Sequence, residues 1–316
     1  MPTLDRIRDT DPPRILVSDH RGEGLERAVG PLRDAGYEVL LAGAPARSRE
    51  LLARTPPHLL LLDPLVATRS IELADLLASA PPDRLPAVLL VADPADLQPA
   101  LALSGELDEL VHGIVRRDAS PEELRWQVTR VLADQERARE LSELRYRASH
   151  DDLTDLLRPR IFAERLEEHT SAAARHGLEL ALLLIDLDEF GQVNKRFDHT
   201  VGDRLLAHVA HVIRRTLRSE DVAGRIGGDE FAIVLPYTGA LQAAATVRRL
   251  CTTIQALSGT VEGVPQRLQV SASIGFETTR GGEVAPVDTL RAHAELALRR
   301  AKRAGGNRGV YYRSRG

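Results

Sequence analysis

Two acidic clusters in the second half of the chain have the residue types and spacing to bind a divalent metal ion. Gly227-Gly228-Asp229-Glu230 lies between two short apolar runs, a pattern that predicts a β-hairpin with its turn at the glycines. Glycines adopt the positive φ angles of a tight turn and leave room for an approaching phosphate. A turn does not need adjacent carboxylates, whereas Mg²⁺ prefers hard oxygen ligands. The alternative is a plain turn with a solvated acidic tip.

The second cluster ends a strongly apolar segment that reads as a buried strand. Asp186-Leu187-Asp188 closes this segment, and the two-residue period of a strand places both aspartates on the same face. If this strand pairs with the hairpin, carboxylates from two neighbouring strands converge on one pocket. Such a pocket suits Mg²⁺ that bridges nucleotide phosphates.

Composition limits the class of protein that carries these acids. The 316 residues are 43% apolar and 28% charged, which is typical of a soluble protein with room for two domains. The net charge of −4 and the lack of an apolar run of about 18 residues lead us to expect neither nucleic acid nor a membrane as a partner. Without a signal-peptide pattern at the N-terminus, we expect a cytoplasmic protein. Cys251 is the single cysteine, so we expect a buried thiol rather than a disulfide or a Cys-based zinc site.

In the first half of the chain, strand-like and helix-like segments alternate. This pattern predicts an α/β fold, with a doubly wound parallel sheet over residues 12–120. Asp19 ends the first strand and Asp63 ends the third, so both fall at the edge of the sheet where such folds place their sites. The segment resembles a response-regulator receiver domain. The resemblance implies that Asp63 accepts a phosphoryl group from a sensor kinase and that Asp19 belongs to a metal site.

The match to a receiver domain is incomplete at three positions. Ser18 stands where receivers have a second acid, and Val91-Ala92 replaces a hydroxyl residue at the end of the fourth strand. The lysine expected after the fifth strand appears as Arg116 or Arg117. These departures favour a degenerate receiver, retained for dimerisation, over a phosphorylated one.

A long connecting helix is predicted over residues 121–149. Ser120 is a good N-cap, Pro121 suits the first turn, and neither Gly nor Pro follows until Pro159. Heptad-like spacing runs through part of the segment. Its members are Leu124, Val128, Val131, Gln135 and Ala138, followed after a phase slip by Leu141, Leu144 and Ala148. This seam could pair with its copy in a dimer, or the helix could lie on its own domain.

Five motifs carry a second and more specific resemblance. They are HDDLTDLLRPR, IDLDEFGQVNKRFDHTVGD, RIGGDEF, VSASIGFE and ALRRAKRAGGNRG. Their order and spacing over residues 150–316 resemble the GGDEF family, the diguanylate cyclases. The resemblance implies an α+β ferredoxin-like fold, similar to nucleotidyl cyclases. It also implies that a homodimer condenses two GTP molecules into cyclic di-GMP and releases two pyrophosphates.

A coarse reading of the hydrophobic pattern agrees with that fold. It predicts helices over 158–176, 203–217, 239–257 and 288–304, strands over 178–186 and 267–277, a hairpin over 222–236 and a last short strand.

The resemblance also implies roles for individual residues. Metal ligands would be Asp186, the carbonyl of Leu187, Asp229 and Glu230, with two Mg²⁺ ions per half-site, or Mn²⁺ instead. Glu230 would serve as a metal ligand or as the general base. Asp188 would be an outer carboxylate or an exposed acid. Guanine and phosphates would be held by Asn194, Asp203, Phe190, Gly227, Gly228 and Lys302.

A further motif at Arg218-Ser219-Glu220-Asp221 matches the family's inhibitory site for the product. An arginine fork binds O6 and N7 of guanine together, and a carboxylate accepts hydrogen bonds from its N–H edge. The motif precedes the GGDEF signature by the family's usual offset, which favours product inhibition through Arg218 and Asp221. A surface ion pair is the alternative.

The sequence departs from the family where phosphates would bind. Gly191 and Gly306 stand at positions of a family lysine and arginine, and Asp155 stands at a family glycine. The cations that could compensate are Lys195, Arg303 and Arg308. With the metal acids present, we expect turnover at a reduced rate. The alternatives are an effector that binds cyclic di-GMP without making it, and a GTP-binding protein that only regulates a partner.

Overall fold

The computed structural model describes residues 12–19, 25–63, 70–93, 100, 110–197, 199–259, 268–279 and 286–313. The chain divides into two compact units, Met1–Ser142 and Glu143–Gly316. Each unit has hydrophobic clusters of its own. Within the described ranges, none of the helices combines the length and the apolar character that crossing a membrane requires.

The first unit contains a five-stranded sheet in which every strand is parallel to its neighbours. The strand order β2-β1-β3-β4-β5 is the flavodoxin-like order of doubly wound folds. The elements are β1 (Arg14–Ser18), α1 (Glu26–Asp34), β2 (Glu38–Ala42), α2 (Pro45–Arg54), β3 (Leu59–Leu62), α3 (Ser70–Leu77), β4 (Ala87–Ala92) and β5 (Val111–Arg116). The parallel sheet that the sequence predicts is therefore present, while its receiver character stays a prediction.

The central strands of this sheet are buried on both faces. Strand β3 reads LLLL and β4 reads AVLLVA, and every residue of both is buried. Continuous apolar runs of this kind are typical of parallel strands covered by helices on each side. Leu60 and Leu62 pack into one hydrophobic cluster, and Leu59 and Leu61 pack into the other.

Helix α4 (Pro121–Ser149) begins at the predicted N-cap, where the Oγ of Ser120 accepts a hydrogen bond from the backbone N–H of Glu123 at 3.2 Å. Its early apolar residues Leu124, Val128 and Val131 are buried in a cluster of the first unit. Leu141 and Leu144 are instead 54% and 62% exposed. The predicted heptad seam thus divides into a segment that packs on its own unit and an exposed segment.

The second unit has an α+β fold built on a sheet of order β10-β9-β6-β8-β7. Strand β10 is parallel to β9, and the other neighbours are antiparallel. The elements are α5 (Pro159–His176), β6 (Leu180–Leu187), α6 (Phe190–Phe197), α7 (His199–Thr216), β7 (Val222–Arg225), β8 (Glu230–Pro236), α8 (Ala240–Gln255), β9 (Ala272–Thr279), α9 (Val287–Arg303) and β10 (Arg308–Tyr311). The succession from β6 to β9 is the βαββαβ pattern of ferredoxin-like folds.

Most predicted elements of this unit are present within a few residues of their expected bounds. The main correction is α6, an eight-residue helix that was not predicted from the sequence because it is short and contains Gly191. The predicted helix over 203–217 begins earlier, at His199. The strand predicted over 267–277 begins at Ala272 and ends at Thr279, and residue 267 lies outside the described residues.

The central strand β6 sends alternate side chains to opposite layers of the unit. Leu183 and Ile185 join the cluster that contains α7 and α8, whereas Leu182 and Leu184 join the cluster that contains α5 and α9. Because the strand period is two residues, Asp186 follows Leu184 onto the face covered by α9. Helix α9 therefore passes directly over the acid at the end of the strand.

Gly275 on β9 allows α9 to lie against the sheet. A Cβ atom at this position would overlap the backbone N of Leu298 and the backbone O of Ala294. Only glycine permits this close approach of helix to strand. The contact places the C-terminal turn of α9, and with it Lys302, beside the end of β6.

Candidate functional site

The four residues predicted to bind metal lie at one end of the sheet of the second unit. Strands β6 and β8 pair in a register that places Asp186 opposite Glu230. Beyond the last pair, the backbone N–H of Leu187 donates to the carbonyl oxygen of Asp229 at 3.2 Å. The hairpin and the central strand therefore bring their acids together, as the sequence predicts.

Asp186 lies deepest in this acidic cluster and is 7% exposed. Its Oδ2 atom is 2.6 Å from the Nζ atom of Lys302. Burial raises the pKa of the Asp186 carboxyl, Lys302 opposes this effect, and the negative charges of Asp229 and Glu230 raise the pKa further. The three carboxylates at this end of the sheet repel one another, and the Lys302 ammonium offsets part of their negative charge.

This donor set fits a hard divalent ion. It combines carboxylates with the backbone carbonyl of Leu187, and oxygen ligands of this kind suit Mg²⁺ or Mn²⁺. In the ranges that the structure describes, no group of three or more His, Cys, Asp or Glu side chains is arranged to hold a metal ion.

The two glycines of the hairpin turn have different surroundings. A Cβ atom on Gly227 would lie 2.6 Å from Oε2 of Glu230, so the missing side chain makes room for the glutamate. A Cβ atom on Gly228 would meet nothing within 4 Å. Gly228 is exposed, and the space above it is open to a ligand.

Arg225 holds this turn in place, a role that sequence reasoning missed. Its Nη2 and Nε atoms donate to the carbonyl oxygen of Gly228 at 2.8 and 3.2 Å. Its Nη1 atom donates to Oδ1 of Asp151 at 3.1 Å, in the segment that follows α4. An arginine two residues before Gly227 was visible in the sequence, but its partner Asp151 is distant along the chain.

Asp188, predicted as an outer carboxylate or an exposed acid, is half-buried rather than exposed. Its carboxylate accepts hydrogen bonds from Oγ of Ser271 at 2.7 Å and from Oγ of Ser273 at 2.6 Å. It also accepts one from the backbone N–H of Asn307 at 2.8 Å. Asp188 therefore joins the end of β6 to the turn that follows Lys302.

The same carboxylate explains the glycine at position 306. Gly306 has a φ angle of +72°, in the left-handed region that favours glycine. A Cβ atom there would lie 2.9 Å from the carboxyl atoms of Asp188. The backbone approaches this acid so closely that a side chain at 306 would displace it.

The residues predicted to bind guanine lie where α6 faces α7. The Oδ1 atom of Asn194 is buried and has no hydrogen-bond partner among the described residues. It sits against Gly202, where a Cβ atom would overlap it. Asp203 follows on the exposed surface of α7, and Phe190 is buried at the start of α6. A buried polar atom without a partner indicates a ligand or water site, because such groups are nearly always paired.

An open cleft of about 810 Å³ adjoins the acidic cluster. Its lining includes Asp186, Asp188, Lys302, Gly306 and, from α6, Gln192 and Arg196. Of the cations that the sequence offered as replacements for the missing phosphate ligands, none lines this cleft within the described ranges. Arg308 lines a different pocket, and its Nε donates to the carbonyl oxygen of Gly306 at 3.0 Å.

The predicted inhibitory motif forms a tight turn after α7. Oδ2 of Asp221 accepts a hydrogen bond from the backbone N–H of Arg218 at 2.9 Å. Burial raises the pKa of the Asp221 carboxyl, and this hydrogen bond opposes the rise. The guanidinium of Arg218 is 67% exposed and lies 3.9 Å from Oε1 of Glu220. The motif thus presents its arginine to solvent, while its aspartate orders the turn.

In the first unit, Asp63 is fully buried at the end of β3. Its Oδ2 atom accepts a hydrogen bond from Nη2 of Arg117 at 2.7 Å, and Nε of Arg117 donates to Oδ2 of Asp93 at 2.9 Å. Asp19, after β1, accepts a hydrogen bond from the backbone N–H of Leu25 at 3.1 Å.

Of the two basic residues that the sequence offered at the end of β5, Arg117 is the one that contacts Asp63 and Asp93. The other candidate, Arg116, pairs with the exposed Asp118. Because the carboxyl ends of neighbouring parallel strands meet at one edge, the Arg117 guanidinium joins the strand ends of β3, β4 and β5.

The architecture and the acids together define a class for the second unit. It is a ferredoxin-like α+β domain that carries carboxylates on its central strand and on the adjacent hairpin. The chain belongs to the GGDEF family: the family model "Diguanylate cyclase, GGDEF domain" matches residues 148–308, just over half of the chain.

Known proteins agree with this assignment. The chain is 36% identical over 169 residues to the diguanylate cyclase DgcP of Pseudomonas aeruginosa, covering 53% of this chain and 24% of DgcP. It is 35% identical over 170 residues to TpbB of the same species, a diguanylate cyclase, covering 52% of this chain and 37% of TpbB. The chain thus spans well under half the length of these relatives.

Solved structures are also similar to this chain, and two of them serve as examples. One is the coiled coil and GGDEF domain of DgcB from Caulobacter crescentus in complex with c-di-GMP, with a TM-score of 0.54 and 28% identity. The match covers 60% of this chain and 98% of that one. The other is the diguanylate cyclase SiaD of Pseudomonas aeruginosa in complex with its activator SiaC, with a TM-score of 0.50, 26% identity and 92% coverage of both chains.

Proposed function

We propose that this protein is a diguanylate cyclase that joins two GTP molecules into cyclic di-GMP. In each of two steps, a ribose 3′-oxygen forms a bond to the α-phosphorus of the other nucleotide. The bond from that phosphorus to the β-phosphate breaks, and pyrophosphate leaves. The observation that supports this proposal most directly is the strand register that sets Asp186 opposite Glu230. Asp229 lies beside this pair, and its backbone carbonyl accepts a hydrogen bond from Leu187. The relatives DgcP and TpbB are both named as diguanylate cyclases, which supports the proposal.

The acids at the sheet end would serve two purposes in this reaction, metal binding and proton transfer. Asp186, Asp229, Glu230 and the carbonyl of Leu187 would hold two divalent ions in each half-site, Mg²⁺ or Mn²⁺. A bound divalent ion neutralises phosphate charge during phosphoryl transfer. Glu230 is exposed at the start of β8, and it accepts the proton of the attacking 3′-hydroxyl.

Guanine is selected where α6 faces α7. Asp203 accepts hydrogen bonds from the two N–H groups on the Watson–Crick edge, which adenine does not offer as a pair. The buried Oδ1 of Asn194 gains the donor that it lacks in the protein alone. Adenine does not offer this pair of donors, and it would leave the buried Oδ1 of Asn194 without a partner, which disfavours the wrong base.

Lys302 exchanges partners when the nucleotide binds. In the protein alone its ammonium is 2.6 Å from Asp186. With divalent ions bound to the acids, Lys302 would bind a phosphate oxygen of the nucleotide instead. The lysine thus acts as a counterion that keeps the acidic cluster together.

The reaction requires two half-sites that face each other, so the active form is a homodimer. The exposed Leu141 and Leu144 of α4 offer an apolar contact for a second copy. The product inhibits the enzyme through Arg218, whose exposed guanidinium binds a guanine, together with Asp221. The first unit is a degenerate receiver in which Arg117 neutralises Asp63, and phosphorylation of Asp63 with Asp19 at a metal site is the alternative.

The decisive experiment incubates the purified chain with GTP and Mg²⁺ and measures cyclic di-GMP by chromatography. We expect product from the natural sequence and none from Glu230→Gln, which retains the shape of the side chain but does not accept a proton. Arg218→Ala should still make product and should continue to higher product concentrations. Absence of product, with tight cyclic di-GMP binding that Arg218→Ala removes, would identify an effector instead of an enzyme.

A further inference from the structure

Arg196 is a charged residue of the cleft to which the family resemblance assigns no role. It lies on α6, one turn after Gln192, and both residues line the cleft beside the acidic cluster. Arg196 is exposed, and among the described residues it has no ion pair. Its guanidinium carbon lies 5.1 Å from the centre of the Phe197 ring, which also lines the cleft.

The other charges of the cleft already have partners or belong to its metal end. Lys302 is paired with Asp186, and the Asp188 carboxylate accepts three hydrogen bonds. Glu189 adds a further negative charge to the lining. Of the cations that line the cleft within the described ranges, Arg196 is thus the one with no carboxylate bound to it.

We propose that Arg196 binds the terminal phosphates of the nucleoside triphosphate. This inference rests on the proposed function, since it concerns the substrate of the same site. Arg196 lies six residues after Phe190, or about 9 Å along the helix axis, near the end of α6 that is remote from β6 along the chain. The guanidinium fork suits bidentate contact with phosphate oxygens. Arg196 thereby supplies part of the positive charge that is missing at Gly191 and Gly306, where the family has a lysine and an arginine.

A residue that binds terminal phosphates should matter more as the phosphate chain becomes longer. Triphosphate should depend on Arg196 strongly, diphosphate less, and monophosphate hardly at all. A residue that only stabilised α6 would affect the three nucleotides alike. A residue that only contributed general positive charge would behave like Lys195, whose removal changes the net charge by the same amount. The ratio of affinities is therefore a better readout than any single affinity.

The experiment is isothermal titration calorimetry of the full chain with 3′-deoxy-GTP, GDP and GMP in the presence of Mg²⁺. The 3′-deoxy compound lacks the attacking hydroxyl, so binding is measured without turnover. Lys195→Ala is a matched control, because it removes the same charge from the neighbouring exposed residue of α6, which does not line the cleft. Arg196→Lys tests whether charge without the fork is sufficient.

We expect Arg196→Ala to weaken 3′-deoxy-GTP binding about tenfold, as for one lost charge-assisted contact, and to change GMP binding less than about twofold. Lys195→Ala should bind all three nucleotides like the natural sequence, and Arg196→Lys should be intermediate. In turnover assays, Arg196→Ala should raise KM for GTP more than it lowers kcat.

Equal behaviour of Arg196→Ala and Lys195→Ala, in a protein that binds GTP and makes product, would overturn this inference alone. The same would follow if Arg196→Ala weakened GMP and triphosphate binding by the same factor. If the natural sequence bound no guanine nucleotide, the proposed function and this inference would both be wrong. Circular dichroism and thermal unfolding of each variant establish that the overall fold is retained.

Discussion

Replacing Asp188 by asparagine tests whether this acid positions the turn that follows Lys302. The carboxylate accepts hydrogen bonds from two serine hydroxyls and from the backbone N–H of Asn307. All three partners donate, so a carboxylate satisfies them together. Asparagine has nearly the same shape, but it replaces one acceptor oxygen with an N–H₂ group, so at least one donor must turn away or remain unpaired.

The expected size of the effect follows from these three contacts. Hydrogen bonds to a charged group contribute about 1.5–3 kcal/mol each, and a neutral acceptor retains roughly half of this. Asp188 is half-buried, so water compensates for part of the loss. We therefore expect the turn to lose about 2–3 kcal/mol of local stability, equivalent to an increase of about 30- to 150-fold in its open population.

Hydrogen exchange followed by mass spectrometry measures this quantity at the turn itself. Peptides that contain residues 304–308 should exchange faster in Asp188→Asn, whereas those of β7 should be unchanged. Asp152→Asn is the control, because Asp152 is 83% exposed in its ion pair with Arg158 and contributes at most about 1 kcal/mol. Unchanged exchange at residue 307 would refute the assignment of Asp188 as the residue that holds this turn.

Three further predictions follow from buried or crowded positions. Burial raises the pKa of the Cys251 thiol to about 11, from a usual value of 9.0. Iodoacetamide at about pH 8 should therefore label the native chain far more slowly than the urea-unfolded chain. The free energy of unfolding should fall as the pH rises from 9.0 to about 11, because only the thiol of the unfolded chain ionises in this interval. Gly227→Ala should lower the rate of cyclic di-GMP formation with little change in Tm, because the new Cβ displaces only the flexible end of Glu230; a large fall in Tm would contradict this. Gly275→Ala should lower the stability of the second unit by about 1–3 kcal/mol in urea denaturation, because the new Cβ meets the backbone of α9. An unchanged urea midpoint would contradict this and would show that the helix shifts freely.

The parts of the fold that the sequence could predict depend on local patterns. Alternating and continuous apolar runs identified the parallel sheet of the first unit and strand β6 of the second. The glycine pair located the hairpin, and the strand period placed Asp186 on a defined face. These features depend on neighbours along the chain, so a single sequence is sufficient to show them.

The charged contacts of the site could not be predicted in the same way. Lys302 reaches Asp186 across 116 positions, which is the difference of their numbers, and only because α9 lies against Gly275. The three donors to Asp188 come from β9, the residue before it and the turn after α9. Nothing in the pattern around Asp188 distinguishes such an acid from an exposed one.

Asp155 shows how a departure from the family pattern acquires partners of its own. It stands at a family glycine and has a φ angle of +57°, which is strained for most residues other than glycine. Its Oδ1 atom accepts a hydrogen bond from the hydroxyl of Tyr146 at 2.5 Å, and its Oδ2 atom accepts one from Nη1 of Arg214 at 2.6 Å. These bonds offset the strain, and glycine could not form them.

The contacts of Asp155 and Arg225 together connect the end of α4 to both parts of the proposed active site. Tyr146 belongs to the last turns of α4, and through Asp155 it is joined to α7, the helix that carries Asp203. Two residues beyond α4, Asp151 binds Arg225, which holds the hairpin turn through the carbonyl oxygen of Gly228. The end of α4 therefore cannot move on this unit without breaking hydrogen bonds to α7 or to the hairpin. Because these bonds lead to the acids that we propose for guanine and for metal binding, we expect loss of the Tyr146–Asp155 or Asp151–Arg225 hydrogen bond to alter both substrate binding and turnover.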